Sequence, residues 1–231
     1  MRIAFRTDAS LQIGTGHVMR CLALADSLRE QGYECQFICR EHKGHFIDYI
    51  GSRGYVVHAL PRLQVEEPLE SGLAHAHWLC VDWQTDAYQT LQELGDNVLD
   101  WLVIDHYALD HRWEATLRSA CKYIMVIDDL ADRPHDCDLL LDQNYYLNQN
   151  QRYQGLLPDQ CVSLIGPSFL LLRQEFYLAK HRLRVRDGIS HRAIVFFGGN
   201  DSTNQTEKVL KALEKLQLKN ISIDVVVGHT N

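Results

Sequence analysis

Short apolar runs alternate with amphipathic stretches along most of this chain. Residues 2–6 (Arg2-Ile3-Ala4-Phe5-Arg6) read as a strand. A helix is predicted from about 16 to 30, with Val18, Met19, Leu22, Ala25 and Leu28 in one apolar stripe. Gly32 ends that helix. Strands follow at 34–39 and at 55–60, the latter stopped by Pro61, with a short helix at 43–53 closed by Gly54 between them. Residues 61–77 carry Pro61, Glu66, Glu67, Pro68 and Gly72 and read as an exposed connection. The apolar stretch 79–81 ends in Asp82, and a helix at 85–94 has Thr85 available as its cap. Strands are predicted at 101–104, 123–127 and 139–141, with a helix at 110–120 between the first two. These strands are continuously apolar and turn polar only at their C-terminal ends, in Asp105-His106-Tyr107, Asp128-Asp129 and Asp142-Gln143-Asn144. That pattern predicts an α/β fold: a Rossmann-like parallel sheet covered on both faces, with ligands at its carboxyl edge.

The rhythm then changes. Residues 145–160 are polar and poorly periodic, 162–165 is a last strand before Gly166-Pro167, and the stretch from Leu170 leads into a helix to about Leu183. Residues 184–190 read as a linker. The alternation restarts with a strand at 192–197, the turn Gly198-Gly199-Asn200-Asp201, a helix at 203–216 and a strand at 221–227. The expected organisation is an N-terminal Rossmann-like domain over 1–166, a connecting helix and linker over 167–190, and the start of a second Rossmann-like domain over 191–231. Two strands do not make a stable open sheet by themselves, so the sequence reads as truncated relative to a longer natural chain.

The candidate chemistry centres on Ile13-Gly14-Thr15-Gly16-His17-Val18-Met19-Arg20, between the first strand and the first helix. Gly14 and Gly16 let the backbone turn sharply and approach a ligand closely. The helix N-terminus that follows suits an anion or a developing negative charge. The pattern G-x-G-x-x-G is not completed, because Met19 is followed by no glycine, so a dinucleotide site is disfavoured. His17 is the only titratable group inside the turn. The positive helix end disfavours imidazolium, and a neutral imidazole there can act as a general base. The alternative is a histidine that merely caps or packs. Arg20 lies on the same side of the helix, three residues on. Asp105-His106-Tyr107 faces either a ligand crevice or a helix that needs a cap. Gly198-Gly199 is either a second phosphate turn or a tight turn alone.

Composition narrows the alternatives. The 231 residues carry a formal net charge of −7 with no Lys/Arg run, which argues against a nucleic-acid partner. Seven scattered cysteines without a C-x-x-C read as reduced, buried residues of a cytoplasmic protein. No signal-like region or 18-residue apolar run occurs, so no membrane association is expected. The acidic strand ends Asp105, Asp128, Asp129 and Asp142 show no metal-ligand spacing with a nearby histidine, and His75-x-His77 lies in a loop-like segment where solvent exposure is expected. No metal and no cofactor are expected. No G-x-S-x-G elbow is present either, which disfavours a serine hydrolase.

Taken together the motifs resemble one family. Phe5-Arg6-Thr7-Asp8-Ala9-Ser10 followed by Ile13 to Cys21 is similar to the N-terminal motif of the UDP-sugar hydrolases of pseudaminic acid biosynthesis. The likeness continues in Val103-Ile104-Asp105-His106-Tyr107, in Ile127-Asp128-Asp129-Leu130-Ala131-Asp132-Arg133, and in Cys137-Asp138-Leu139-Leu140-Leu141-Asp142-Gln143-Asn144. It extends to Leu171-Leu172-Arg173-Gln174-Glu175-Phe176 and Phe197-Gly198-Gly199-Asn200-Asp201. The resemblance implies a two-domain fold of the GT-B glycosyltransferase type and a metal-independent release of UDP from UDP-2,4-diacetamido-2,4,6-trideoxy-β-L-altropyranose. It implies that the essential base is His17 and that uridine and diphosphate are held chiefly by the C-terminal domain. Candidate sugar contacts or orienting groups are Arg6, Asp8, Gly14, Gly16, Arg20, Tyr107 and Asn144, and candidate nucleotide contacts are Gly198, Gly199 and Asp201. A glycosyltransferase on the same fold, or a non-catalytic nucleotide-sugar binding module, are the rival classes.

Overall fold

The computed structural model describes residues 1–62, 72–96, 98–180, 182–183, 185–198, 201, 203–216 and 220–228. The chain divides into two compact units, Met1–Gln174 and Glu175–Asn231. In the first, β1 (Arg2–Thr7), β2 (Glu34–Arg40), β3 (Val56–Leu60), β4 (Leu99–Asp105), β5 (Cys121–Ile127), β6 (Leu139–Asp142) and β7 (Val162–Ile165) form one parallel sheet in the order β3-β2-β1-β4-β5-β6-β7. The order reverses between β1 and β4, which lie in register with Thr7 beside Asp105. In an open α/β sheet a crevice opens at the carboxyl ends of the strands at such a reversal.

Residue parity along each strand decides which face a side chain enters, because successive side chains point to opposite faces. Ile3 and Phe5, Val103, Met125 and Ile127 pack with Val18, Cys21, Leu22 and Ala25 of α1 (Gly16–Glu30) and Ile50 of α2 (Ile47–Ser52). Ala4, Leu102, Ile104, Ile124 and Val126 pack on the other face with Ala87 and Leu94 of α3 (Trp83–Leu94) and with Trp113 and Leu117 of α4 (His111–Leu117). Burial on both faces explains the unbroken apolar runs. The expected stripe of α1 holds with one shift: Val18, Leu22 and Ala25 are buried together with His17 and Cys21, while Met19 and Leu28 sit at its margin.

Element ends differ from expectation where local chemistry overrides pattern. The N-cap of α3 is Asp82, not Thr85: the Asp82 carboxylate accepts from the Thr85 backbone N–H at 2.6 Å and from its hydroxyl at 2.9 Å. Residues 79–81 form no strand, and Ala76–Leu79 is a 3-10 turn. The helix expected over 43–53 shrinks to α2, and that over 110–120 ends at Leu117 with a 3-10 turn at Arg118–Ala120. Most of the connection expected over 61–77 lies outside the described residues. Gln174 rather than Gly166 ends the first unit, since Leu171 packs against the core and its N–H donates to Gln143 Oε1 at 3.1 Å. The seven cysteines are free. Cys21, Cys39, Cys121 and Cys137 are buried, and Cys35, Cys80 and Cys161 are half-buried.

The second unit holds α5 (Gln174–Lys180), all but its first residue, and a parallel pair, β8 (Arg192–Phe196) and β9 (Ser222–Val226), joined through α6 (Gln205–Leu216). Among the described residues no helix is long and apolar enough to cross a membrane.

A buried charge cluster crosses the first unit beneath the sheet reversal. Asp86 of α3 takes Arg6 Nη2 at 2.6 Å, Arg40 Nη2 at 2.6 Å and the indole N–H of Trp113 at 3.0 Å. Arg6 also donates to Asp8 at 2.7 Å, and Asp8 accepts the Arg40 backbone N–H at 2.6 Å. All of these side chains are buried. Asp86→Ala leaves two arginines buried without their shared partner. It is expected to cost about 3–5 kcal/mol in urea unfolding at pH 7. A loss below about 1 kcal/mol would mean that the cluster is not a single paired unit.

Candidate active site

The turn before α1 is built by its own backbone. Gly14 N–H donates to Ser10 O at 2.9 Å, and the Ser10 hydroxyl accepts from Ile13 N–H at 2.9 Å and Gln12 N–H at 3.1 Å. Gly14 has φ +79°, a left-handed conformation that glycine adopts without strain. Gly16 is the first residue of α1. No side chain caps this helix N-terminus, and its first turn holds no acidic residue. The end therefore keeps its partial positive charge and unpaired N–H groups.

His17 is 7% exposed, and its imidazole lies over the end of β4. Its Nδ1 is 2.5 Å from Oδ1 of Asp105, which is fully buried. Arg20 meets the same carboxylate, Nε to Oδ2 at 2.5 Å and Nη2 to Oδ1 at 2.6 Å. Burial alone would push the Asp105 carboxyl up. Its pairing with His17 and with the Arg20 guanidinium outweighs burial and holds the group well below the usual carboxylate range. An ionised carboxylate only accepts, so Nδ1 carries the proton and Nε2 is left to exchange one. The carboxylate that orients the ring is a partner that helix-end reasoning on His17 alone did not supply.

Tyr107 and Asn144 join this group through Asp129. The Tyr107 hydroxyl donates to Asp129 Oδ1, Asn144 Nδ2 donates to Asp129 Oδ2 at 3.0 Å, and Arg20 Nη1 lies 3.7 Å from Oδ2. Burial first, and then the bond to Asp129, push the Tyr107 hydroxyl up, so it stays protonated. The Tyr107 ring meets that of His17 edge to face at 4.5 Å. Trp78 and His75 extend the wall: the His75 and Trp78 rings are 4.5 Å apart, and Trp78 is 5.7 Å from Tyr107. His75, expected in solvent, is thus half-buried beside the candidate base, and His77 pairs outward with Gln12 at 2.8 Å.

Other expected contacts lie elsewhere. Arg6 and Asp8 were expected at a substrate. Both are fully buried and paired within the cluster below, on the α3–α4 side. His106 turns the same way. Its Nδ1 accepts the Ala108 N–H at 3.1 Å, and its Nε2 is 3.2 Å from Asp8 Oδ2 but out of line for a full hydrogen bond. Burial, the largest influence on it, favours the neutral ring. In the second unit Gly198 has φ +83°, and Gly199 lies outside the described residues. Asp201, expected at the nucleotide, caps α6 instead, accepting from Gln205 N–H and Thr206 N–H at 2.8 Å each.

The remaining acidic strand ends are matched by arginines, Asp128 by Arg133 at 2.9 Å and Asp142 by Arg152 at 3.0 Å. Among the described residues no group of three or more His, Cys, Asp or Glu side chains is arranged to hold a metal ion. The arrangement presents an oriented imidazole beside a helix end without a side-chain cap, a geometry compatible with proton transfer.

No protein-family model matches the chain. The likeness read from the motifs is borne out by a curated protein, the UDP-2,4-diacetamido-2,4,6-trideoxy-beta-L-altropyranose hydrolase of Campylobacter jejuni. It is 28% identical over 224 residues, which are 96% of this chain and 69% of that protein. Uncharacterized protein MJ1062 of Methanocaldococcus jannaschii is 24% identical over 231 residues, 99% of this chain and 43% of its own length. Among solved structures, MurG of Acinetobacter baumannii matches with a TM-score of 0.55 at 10% identity, covering all of this chain and 68% of that one. The fold is therefore the expected α/β fold of the GT-B type, shared with MurG.

Because Asp105 is held ionised in the folded state, its contribution to stability is complete above its unfolded value near 3.9 and is lost as the pH falls through the depressed folded value. The stability difference between the native protein and Asp105→Asn is expected to shrink by about 1 kcal/mol between pH 6 and pH 3. Urea unfolding of both at the two pH values measures it. A constant difference would show that Asp105 is not charge-paired.

Proposed function

We propose that this chain hydrolyses a UDP-sugar of the 2,4-diacetamido-2,4,6-trideoxy class, with His17 as the general base. The observation that carries the reading is the His17–Asp105 pair at 2.5 Å, which leaves Nε2 free beside an uncapped helix N-terminus. The similarity to the Campylobacter jejuni hydrolase supports the substrate class. Nε2 takes a proton from water as the oxygen attacks the anomeric carbon, with inversion. The bond from that carbon to the diphosphate oxygen breaks, and UDP leaves with the electron pair. UDP is already a good leaving group, so the site needs a base and dipoles for the diphosphate more than a strong acid. The N-terminal turn of α1 supplies such dipoles. Tyr107, Asn144 and Arg20 are the groups offered to the sugar, with Trp78 as an apolar wall. No metal is assigned a role in this reaction, and the setting is read as cytoplasmic.

The fold shared with MurG also accommodates a transferase, and one assay separates the readings. Incubating the chain with the UDP-sugar is expected to release UDP and free sugar in equal amounts. His17→Asn should lower the rate on the order of 10²- to 10⁴-fold while leaving ligand binding in place. Sugar delivered to an added acceptor in preference to water would make the protein a transferase. Substrate recovered intact after tight binding would make it a binding module.

A further inference from the structure

The strand parity that sorts the core also sorts the acidic residues at the strand ends. Asp128 follows Ile124 and Val126 to the α3–α4 side, where it accepts the N–H groups of Leu130 and Ala131 at 3.2 and 2.9 Å and pairs with Arg133. Asp129 follows Met125 and Ile127 to the α1 side, as Asp105 follows Val103 on the neighbouring strand. Its backbone is held, since its carbonyl accepts from the Tyr146 hydroxyl at 3.1 Å and from the Arg152 guanidinium. Its side chain is 20% exposed and touches Tyr107, Asn144 and Arg20. None of its bonds goes to His17, yet two of its three partners bear on that ring. Tyr107 packs against the imidazole at 82°, and Arg20 binds the same Asp105 oxygen that holds Nδ1.

We infer that Asp129 is a positioning residue for the imidazole of His17, gripping it on one side through the Tyr107 ring and on the other through Arg20 and Asp105. This rests on the reading of His17 as the base. With Tyr107 anchored at its hydroxyl, the aromatic side of the imidazole is fixed. With Arg20 drawn between Asp105 and Asp129, the carboxylate side is fixed too. The ring then keeps Nδ1–H on Asp105 and Nε2 for water without having to reorient during turnover. The charged and titratable groups on His17 are Asp105 from the end of β4, Arg20 from α1 and Tyr107 from the segment after β4; Cys21 bears on Asp105, His75 on Tyr107, and Asp129 on Tyr107 and Arg20.

The test is histidine-ring nitrogen–proton NMR on the full 231-residue chain, with His17 assigned by its loss in His17→Asn. The native protein is expected to show one tautomer with a slowly exchanging Nδ1 proton. Asp129→Asn should broaden that proton signal and speed its exchange with water, because the ring loses its two-sided grip. Tyr107→Phe should broaden the signal with all charges retained. The double variant should be no worse than Asp129→Asn alone, and Asp129→Glu should restore part of the effect. An unchanged Nδ1 proton signal and exchange rate in Asp129→Asn overturns the inference. The His135 ring, paired with Glu114 at 2.7 Å, reports whether each variant is folded. If Asp129→Asn does not fold, Tyr107→Phe, which removes one oxygen, decides alone. Loss of UDP release in His17→Asn together with an unmoved His17 signal in Asp129→Asn would refute the positioning role and leave the hydrolase reading standing. Normal release by folded His17→Asn would refute the hydrolase reading itself.

Discussion

A carboxylate buried at the end of a parallel strand has to be neutralised where it stands, and Asp105 is neutralised by α1. Both of its side-chain partners there, His17 and Arg20, lie in the first turns of that helix. The ion pair therefore sets where α1 sits on the sheet, which ring nitrogen of His17 is committed, and which nitrogen remains for chemistry. The apolar contacts of α1 with Phe5, Phe37 and Val103 hold the helix on the face but fix the azimuth of a side chain only loosely. A charge-assisted pair at 2.5 Å fixes it closely.

Beneath this pair the same strands carry a second set of charges that never reaches solvent. Asp8 and Asp86 are held below the usual carboxylate range: burial would raise them, and the adjoining arginines, with Arg6 foremost, overcome it. The arrangement ties β1, β2, α3 and α4 together where the strand order reverses. Two layers of charge thus lie within a few residues of each other. The lower is buried and structural, while the upper leaves one imidazole nitrogen without a partner among the described residues.

Alternation and apolar runs were enough to predict the parallel sheet, because strands buried on both faces leave a continuous signal. Pattern was weaker at the ends of elements. The Asp82 cap of α3 and the αL residue Cys80 before it depend on local hydrogen bonds that periodicity does not register. At the site, the histidine was legible from its place after a glycine turn, and Arg20 from its helical spacing. Arg6, Asp8 and His106 looked equally suited to a ligand. Parity separates them: counted from Ala4 and Ile104 they fall on the α3–α4 face, whereas Asp105, Tyr107 and Asp129 fall on the face of α1. That signal lies in the strand registers rather than in the identity of the residues. Trp78 and His75 had no such signal, since they sit in an irregular segment, and tertiary packing alone brings Trp78 to His17 and His75 to Tyr107.

The two glycine turns show why similar sequence need not mean similar chemistry. Each follows a strand and precedes a helix, and each could present N–H groups to a phosphate. At α6 the Asp201 carboxylate already takes the Gln205 and Thr206 N–H groups, and Glu207 adds a second negative charge in the first turn. An incoming phosphate would have to displace one carboxylate and approach another. At α1 the N-cap is Thr15 without a side-chain hydrogen bond, and the first turn holds His17 where α6 holds an acid. The α1 end therefore keeps the partial charge and N–H groups that suit an anion, whereas two carboxylates oppose one at α6.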